Sequence, residues 1–210
     1  MKRTLAQRLF YDALRIFSRI FAVLFYRLRY QGTSHYPLEG GGLVCSNHQS
    51  YLDPVLVGMT CPRRMNYLAR DTLFTGRFGW LIRFLDAIPI DREGSGLSGI
   101  KETLRRLKAG ELVLIFPEGT RTEDGELLPI KSGFCSIARR SKQPLIPVGI
   151  DGAWQVWPRK SKYPRLGRLA VVIGEPISPE SMESLSDDEL VKIVRSRIAA
   201  AHAEARKLCQ

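Results

Sequence analysis

His48 stands five residues before Asp53 in the segment Asn47-His48-Gln49-Ser50-Tyr51-Leu52-Asp53-Pro54. A carboxylate bonded to one imidazole nitrogen fixes the ring tautomer and leaves the other nitrogen as a base. Five steps along a regular helix would set the two side chains about 140° apart, because a helix turns once in about 3.6 residues. The pair can therefore meet only across a bend, where a strand end gives way to a new helix. Pro54 suits a first helical turn, and Asp53 stands where that helix would begin. The plainer alternative is that Asp53 caps the helix and His48 is an ordinary loop residue. Spacing alone favours that alternative.

A second chemistry-bearing segment, Phe116-Pro117-Glu118-Gly119-Thr120-Arg121, stands at the end of the clearest strand signal in the chain, Leu112–Phe116. Loops at strand ends are common places for function. Gly119 lets the backbone approach a ligand and offers an N–H to a developing oxyanion. Arg121 has the fork that grips a phosphate with two parallel bonds. The alternative is a tight turn in which Glu118 and Arg121 pair at the surface. Arg92, at the end of Ile88-Pro89-Ile90-Asp91-Arg92, is a further phosphate candidate, or else a surface partner of Asp91 or Glu93. Lys131 adds charge at Pro129-Ile130-Lys131-Ser132-Gly133-Phe134, or is a solvated helix start. Leu145-Ile146-Pro147-Val148-Gly149 carries no ionisable group and reads as structure.

These segments need a scaffold, and the pattern predicts one. Short apolar runs at Leu43–Cys45, Asn66–Ala69, Ala87–Ile90, Leu112–Phe116, Leu145–Ile150 and Leu169–Ile173 read as strands. Between them, Thr72–Leu85, Ser98–Ala109 and Lys131–Arg140 read as helices, and Ser186-Asp187-Asp188-Glu189 is a capping box opening a helix towards Arg206. Strands alternating with helices predict a single α/β domain: a central, mainly parallel or mixed sheet covered by helices. The expected division is a membrane-associating helical segment over residues 1–35 and a catalytic domain over residues 36–210.

Net charge is +11, and it is uneven. Lys2, Arg3, Arg8, Arg15, Arg19, Arg27 and Arg29 face a single acid, Asp12, in the first thirty residues. In the same stretch Leu5, Leu9, Phe10, Leu14, Phe17, Phe21, Leu24, Phe25 and Leu28 recur mostly at steps of three and four, the period of a helix. The longest uncharged run, Ile20–Tyr26, is far short of the ~20 residues needed to cross a bilayer. It also lacks the apolar core and cleavage site of a signal peptide. Arginines beside an apolar face fit a helix lying in an anionic membrane surface. The alternative is a helix packed on the protein's own core. Deleting residues 1–30 is expected to release a membrane-bound protein. Lys131–Arg168 holds nine basic residues against Asp151 alone. A nucleic-acid reader would more often interleave stacking aromatics among its cations. That class, and a non-catalytic membrane adaptor, stand as the alternatives to an enzyme. Cys45, Cys61, Cys135 and Cys209 are scattered, form no C-x-x-C, and fit a reducing compartment with no zinc site. Cys45, three residues before His48, reads as inert strand packing rather than a nucleophile.

Taken together and in order, the segments resemble the glycerolipid acyltransferase family, whose best-known members are the 1-acylglycerol-3-phosphate acyltransferases. Asn47, His48 and Asp53 match its N-H-x-x-x-x-D motif, and Phe116 through Arg121 match F-P-E-G-T-R. Asp91 and Arg92 match a second block, which departs from the family pattern at Ala87 and Pro89, and Ile146-Pro147-Val148 matches a proline block. The likeness covers roughly residues 43–150. It implies transfer of a fatty acyl chain from acyl-CoA or acyl carrier protein to a lysophospholipid hydroxyl, with no metal and no resident cofactor. His48 would be the base, oriented by Asp53. Arg92, Glu118, Gly119, Thr120, Arg121 and Lys131 would line the acceptor site, with the Gly119 region supplying oxyanion donors. The partners implied are an anionic membrane at its cytoplasmic face, the lysolipid and the thioester donor, with no nucleic acid. The motif specifies the reaction more than the acceptor, so another lysolipid stands as the alternative to 1-acylglycerol-3-phosphate.

Overall fold

A computed structural model describes residues 5–75, 79, 82, 87–90 and 97–210. Arg92 lies outside the described residues, as does most of the helix expected from Thr72 to Leu85. The beginning of that stretch forms one 3-10 turn, Asp71–Phe74.

Seven strands make one sheet: β1 (Arg29–Gln31), β2 (Gly42–Ser46), β3 (Met65–Arg70), β4 (Ile88–Ile90), β5 (Leu112–Ile115), β6 (Leu145–Asp151) and β7 (Ala170–Ile173). Their order across the sheet is β1-β7-β6-β2-β5-β3-β4. Every neighbouring pair is parallel except β6 and β7. The central strands β2, β5 and β6 are buried at every position. This is why they read as continuous apolar runs rather than alternating ones: a parallel strand is covered on both faces. The short edge strand β1 had no such signal; its Arg-Tyr-Gln becomes a strand by pairing with Ala170–Val172.

Side chains alternate between the two faces, and each face has its own core. Val44, Leu112, Leu114, Ile146, Val148 and Ile150 pack with Leu56 and Val57 of α2 (Asp53–Thr60) and with Ala22 and Leu28, within and just after α1 (Leu5–Tyr26). On the opposite face Leu43, Cys45, Val113, Ile115 and Leu145 meet α3 (Leu97–Lys108), α4 (Gly133–Ser141) and α7 (Asp187–Cys209) through Leu107, Phe134, Ile137, Leu190, Val194 and Ile198. Two short helices, α5 (Ala153–Val156) and α6 (Pro179–Glu183), complete the set. The capping box of α7 is formed in full: the Ser186 hydroxyl accepts from the Glu189 N–H, and the Glu189 carboxylate accepts from the Ser186 N–H.

α1 has two unlike sides. One stripe is internal. Tyr11 and Ala22 are buried, the Tyr11 hydroxyl lies 3.0 Å from that of Tyr67, and the Arg64 guanidinium bonds Asp12. The other stripe exposes Leu5, Leu9, Phe10, Phe17, Phe21, Leu24 and Phe25. No helix among the described residues is long and apolar enough to cross a membrane.

Candidate active site

The site begins where β2 ends. Asn47 is buried, and its amide clamps the neighbouring strand β6. Nδ2 donates to the Ile150 carbonyl at 2.9 Å, and the Ile150 N–H donates to Oδ1 at 2.7 Å. With the strand end held, the chain bends and re-enters a helix at Asp53. Leu52, not Asp53, occupies the cap position of α2. The Asp53 carboxylate points back across the bend instead. Its Oδ2 accepts from the Gln49 N–H at 2.6 Å and the Ser50 N–H at 2.7 Å, and lies 2.7 Å from His48 Nδ1. Asp53 is fully buried, whereas 17% of the His48 side chain remains exposed. Asp53 thus holds Nδ1, and Nε2 is the ring nitrogen it does not engage. The imidazole is also stacked on Phe116, with centroids 4.0 Å apart and planes 15° from parallel. A ring held by a short bond at one nitrogen and a stack on its face has little freedom to turn.

The Phe116–Arg121 loop leaves the carboxyl end of β5 beside this bend. The Thr122 N–H donates to the His48 carbonyl at 2.9 Å, and the Lys131 N–H to the Pro117 carbonyl at 3.0 Å. Gly119 has φ +74°, which an L side chain rarely adopts, and a Cβ built there would meet Lys131 Nζ at 3.2 Å. Lys131, itself exposed, thus lies against Gly119. One expectation is corrected. The Gly119 N–H donates to the Phe116 carbonyl at 2.9 Å and closes the turn, so it is not a spare oxyanion donor.

Arg121 does not pair with Glu118. Its guanidinium carbon sits 3.4 Å from the centroid of the Tyr51 ring, and its buried Nη1 has no hydrogen-bond partner. Stacking on an aromatic face fixes the guanidinium plane while leaving its N–H edges for a ligand. Tyr51 in turn meets Trp157 at 5.7 Å. Thr120 is exposed, with its hydroxyl oxygen 3.5 Å from Arg159 Nη1. Glu118 is buried, and neither carboxyl oxygen completes a hydrogen bond of full geometry. Burial pushes this carboxyl up to about 8; the His48 and Leu128 backbone N–H groups oppose the rise, and the nearby Asp53 charge adds to it.

Sequence reasoning passed over Gln49, His202 and Asp151. The Gln49 amide is buried; it donates to the Gly125 carbonyl at 2.8 Å and accepts from the Trp154 N–H at 3.3 Å. It also lies 3.3 Å from His202 Nε2, which is 3.2 Å from Asp151 Oδ1. Although burial opposes it, the His202 bond and the neighbouring Arg206 hold the Asp151 carboxyl below its usual range. A second, buried His–Asp pair therefore braces the loop that carries the first. No local signal marks it, because its members are far apart in sequence. Cys45 is fully buried, and burial together with Cys135 pushes its thiol well above the ordinary value, which removes it as a nucleophile. Among the described residues no group of His, Cys, Asp and Glu could hold a metal ion.

A family model described as Acyltransferase matches residues 27–151, more than half of the chain. A 1-acyl-sn-glycerol-3-phosphate acyltransferase of Bacillus subtilis is 33% identical over 156 residues, covering 73% of this chain and 75% of that one. The alpha form of the same enzyme from Mus musculus is 32% identical, covering 74% of this chain and 56% of its own length. The crystal structure of the 1-acyl-sn-glycerophosphate acyltransferase PlsC from Thermotoga maritima superposes with a TM-score of 0.79 at 26% identity, covering 95% of this chain and 81% of that one. A sheet that brings N-H-x-x-x-x-D and F-P-E-G-T-R together, in a chain with these relatives, has one assignment: the protein belongs to the acyltransferase family.

Proposed function

We propose that the protein transfers a fatty acyl chain from a thioester donor, acyl-CoA or acyl carrier protein, to the free hydroxyl of 1-acylglycerol-3-phosphate, forming phosphatidate. The observation that carries this reading is the 2.7 Å contact between Asp53 Oδ2 and His48 Nδ1, which leaves Nε2 as the base. The named activities of the relatives support the choice of acceptor.

In this reading Nε2 takes the hydroxyl proton as the oxygen attacks the thioester carbonyl. The new C–O bond forms, the C–S bond breaks, and the imidazolium returns the proton to the departing thiolate. Asp53, already accepting from two backbone N–H groups, stabilises the imidazolium without moving. No covalent acyl-enzyme is required. Arg121, Lys131 and Arg92 bind the acceptor phosphate, and Glu118, Gly119 and Thr120 shape the loop against it. The exposed apolar stripe of α1 lies in an anionic membrane surface, so the acceptor need not leave the bilayer completely.

The test is purified protein in lipid, offered a panel of lysolipids with both donor types, scoring thiol release and identifying products by mass. 1-Acylglycerol-3-phosphate should be the preferred acceptor. His48→Ala should lower turnover by about 10²–10⁴ while unfolding at the same temperature as the parent. Near-normal turnover in that variant would refute the base assignment, and preference for another lysolipid would replace the acceptor.

A further inference from the structure

The segment from Pro158 to Arg168, between α5 and β7, contributes no group to the reaction proposed above, although its Arg159 Nη1 lies 3.5 Å from the Thr120 hydroxyl oxygen. It carries Arg159, Lys160, Lys162, Arg165 and Arg168, and no acidic residue. Of Arg159, Lys160, Lys162 and Arg165, only Lys160 meets a side-chain carboxylate among the described residues, and that contact, with Glu123 at 3.7 Å, is between two exposed groups. Two large apolar side chains stand out from the same loop: Tyr163 is 68% exposed and Leu166 78%. The loop is nevertheless held in shape. The Trp157 indole N–H donates to the Ser161 carbonyl at 3.1 Å, the Ser161 hydroxyl to the Tyr163 carbonyl at 2.8 Å, and the Arg165 N–H to the Val156 carbonyl at 2.7 Å. A hydrogen-bonded loop that presents cations and apolar tips together is unlike an ordinary solvated surface, where apolar side chains are scattered singly.

Both ends of the loop are tied to features already described. At its start the Trp157 carbonyl accepts from the Ser50 hydroxyl at 2.8 Å, inside the His48–Asp53 bend, and the Trp157 ring meets Tyr51. At its finish the Leu169 N–H donates to the Tyr26 carbonyl at 3.1 Å, the last residue of α1, next to the exposed Leu24 and Phe25. The loop therefore bridges the lip of the site and the carboxyl end of the apolar stripe on α1.

We propose that the 158–168 loop is a second membrane-contacting element, which docks on anionic lipid and, with the end of α1, presses the mouth of the site against the bilayer. The occupant is a lipid surface rather than an anionic protein, because the loop pairs its cations with exposed apolar tips and ends against the last residue of α1, whose own exposed stripe is apolar. Cations at the headgroup level and aromatic or aliphatic tips below it are the division of labour of interfacial segments. The inference rests on the membrane reading of α1 given above, and the experiment separates the two.

Full-length protein is sedimented with vesicles of phosphatidylcholine, with and without phosphatidylglycerol. Lys162→Ser, Tyr163→Ser, Arg165→Ser and Leu166→Ser are combined in one loop variant; Phe17→Ser, Phe21→Ser and Leu24→Ser in one helix variant. The loop variant should bind phosphatidylglycerol vesicles about tenfold more weakly or worse. Its loss of rate on vesicle-embedded acceptor should vanish on a monomeric, short-chain acceptor, with an unchanged unfolding temperature. Unchanged vesicle binding of the loop variant, with the helix variant detached, overturns the loop proposal and leaves α1 as the sole contact. Unchanged binding of both variants overturns the membrane reading itself. Normal vesicle binding with a raised KM for the thioester donor would assign the loop to the donor and also overturn the proposal.

Discussion

Three donors, two backbone N–H groups and one imidazole, converge on Asp53 Oδ2, so this oxygen shapes the bend and orients the ring at once. Asp53→Asn keeps the volume but replaces an acceptor-only group by one with a donating edge. Either the imidazole loses the partner that fixes its tautomer, or the bend loses an acceptor. Turnover should fall by roughly 10²–10⁴, and a stopped assay of thiol release at saturating acceptor measures it. Glu118 makes a different prediction. Its carboxyl is raised from an ordinary 4.5 to about 8, so between those values the folded state holds a proton that the unfolded chain releases. Stability from this group is complete below that window and declines as pH rises through it. Glu118→Gln, a neutral isostere, should therefore flatten the fall. By about pH 9 the variant should be more stable than the parent by roughly 2–4 kcal/mol, and at about pH 4 nearly equal to it. Denaturant unfolding across that range tests the sign; parallel curves for the two proteins would show that the carboxyl stays ionised in the fold.

At the level of elements, the site depends on how closely α7 lies on β6. A Cβ built on Gly149 would fall 2.1 Å from the His202 nitrogen and 2.2 Å from the Ala201 carbonyl carbon, both backbone atoms. Only glycine permits this approach, which sets His202 and Asp151 beneath Gln49. Gly149→Ala must push the helix off the strand, and overpacking on that scale costs about 3 kcal/mol or more. The same displacement loosens the Gln49 brace. We expect a lowered unfolding midpoint together with lower turnover, read from a urea titration and an activity assay on the same preparation. Full activity with full stability would mean that α7 shifts freely and that the brace is dispensable. Within the sheet, Asn47 links β2 to β6 through two buried hydrogen bonds. The motif asparagine is therefore a structural clamp, and the histidine's position follows from it.

For the molecule as a whole, the two-sided character of α1 changes the experiment that tests membrane binding. Deleting residues 1–30 would remove Tyr11, Ala22 and Leu28 from the core along with the exposed stripe, so a released product would not separate loss of docking from loss of fold. Phe17→Ser, Phe21→Ser and Leu24→Ser touch only exposed residues. This triple variant should keep its unfolding temperature and lose vesicle affinity by about a hundredfold or more, since each buried aromatic or leucine side chain contributes about 1.5–3 kcal/mol. Salt should act on the remainder. The net charge of +11 predicts that binding of the parent to anionic vesicles weakens from low to physiological ionic strength, as headgroup attraction is screened. Vesicle affinity that ignores salt would remove the electrostatic part of the argument.

The sequence by itself determined what is local or chemically particular. Continuous apolar runs marked the buried strands, Ser186 and Glu189 marked the start of the last helix, and His48, Asp53 and the Phe116–Arg121 segment matched the family's motifs. Such signals act within a few residues or are carried by residue type, and they survive without knowledge of the fold. Tertiary structure alone decided the rest. Asn47 reaches Ile150, Gln49 reaches His202, and the Thr122 N–H reaches the His48 carbonyl because strand order and register bring the carboxyl ends of β2, β5 and β6 side by side. Whether Arg121 would pair with Glu118 or lie on Tyr51, and whether the Gly119 N–H was free, turned on competition among neighbours in space. The strand at Arg29–Gln31 has no intrinsic preference strong enough to announce itself and forms because β7 offers it an edge. Spacing along the chain is silent on partners supplied by another element, and most of this site's supporting contacts are of that kind.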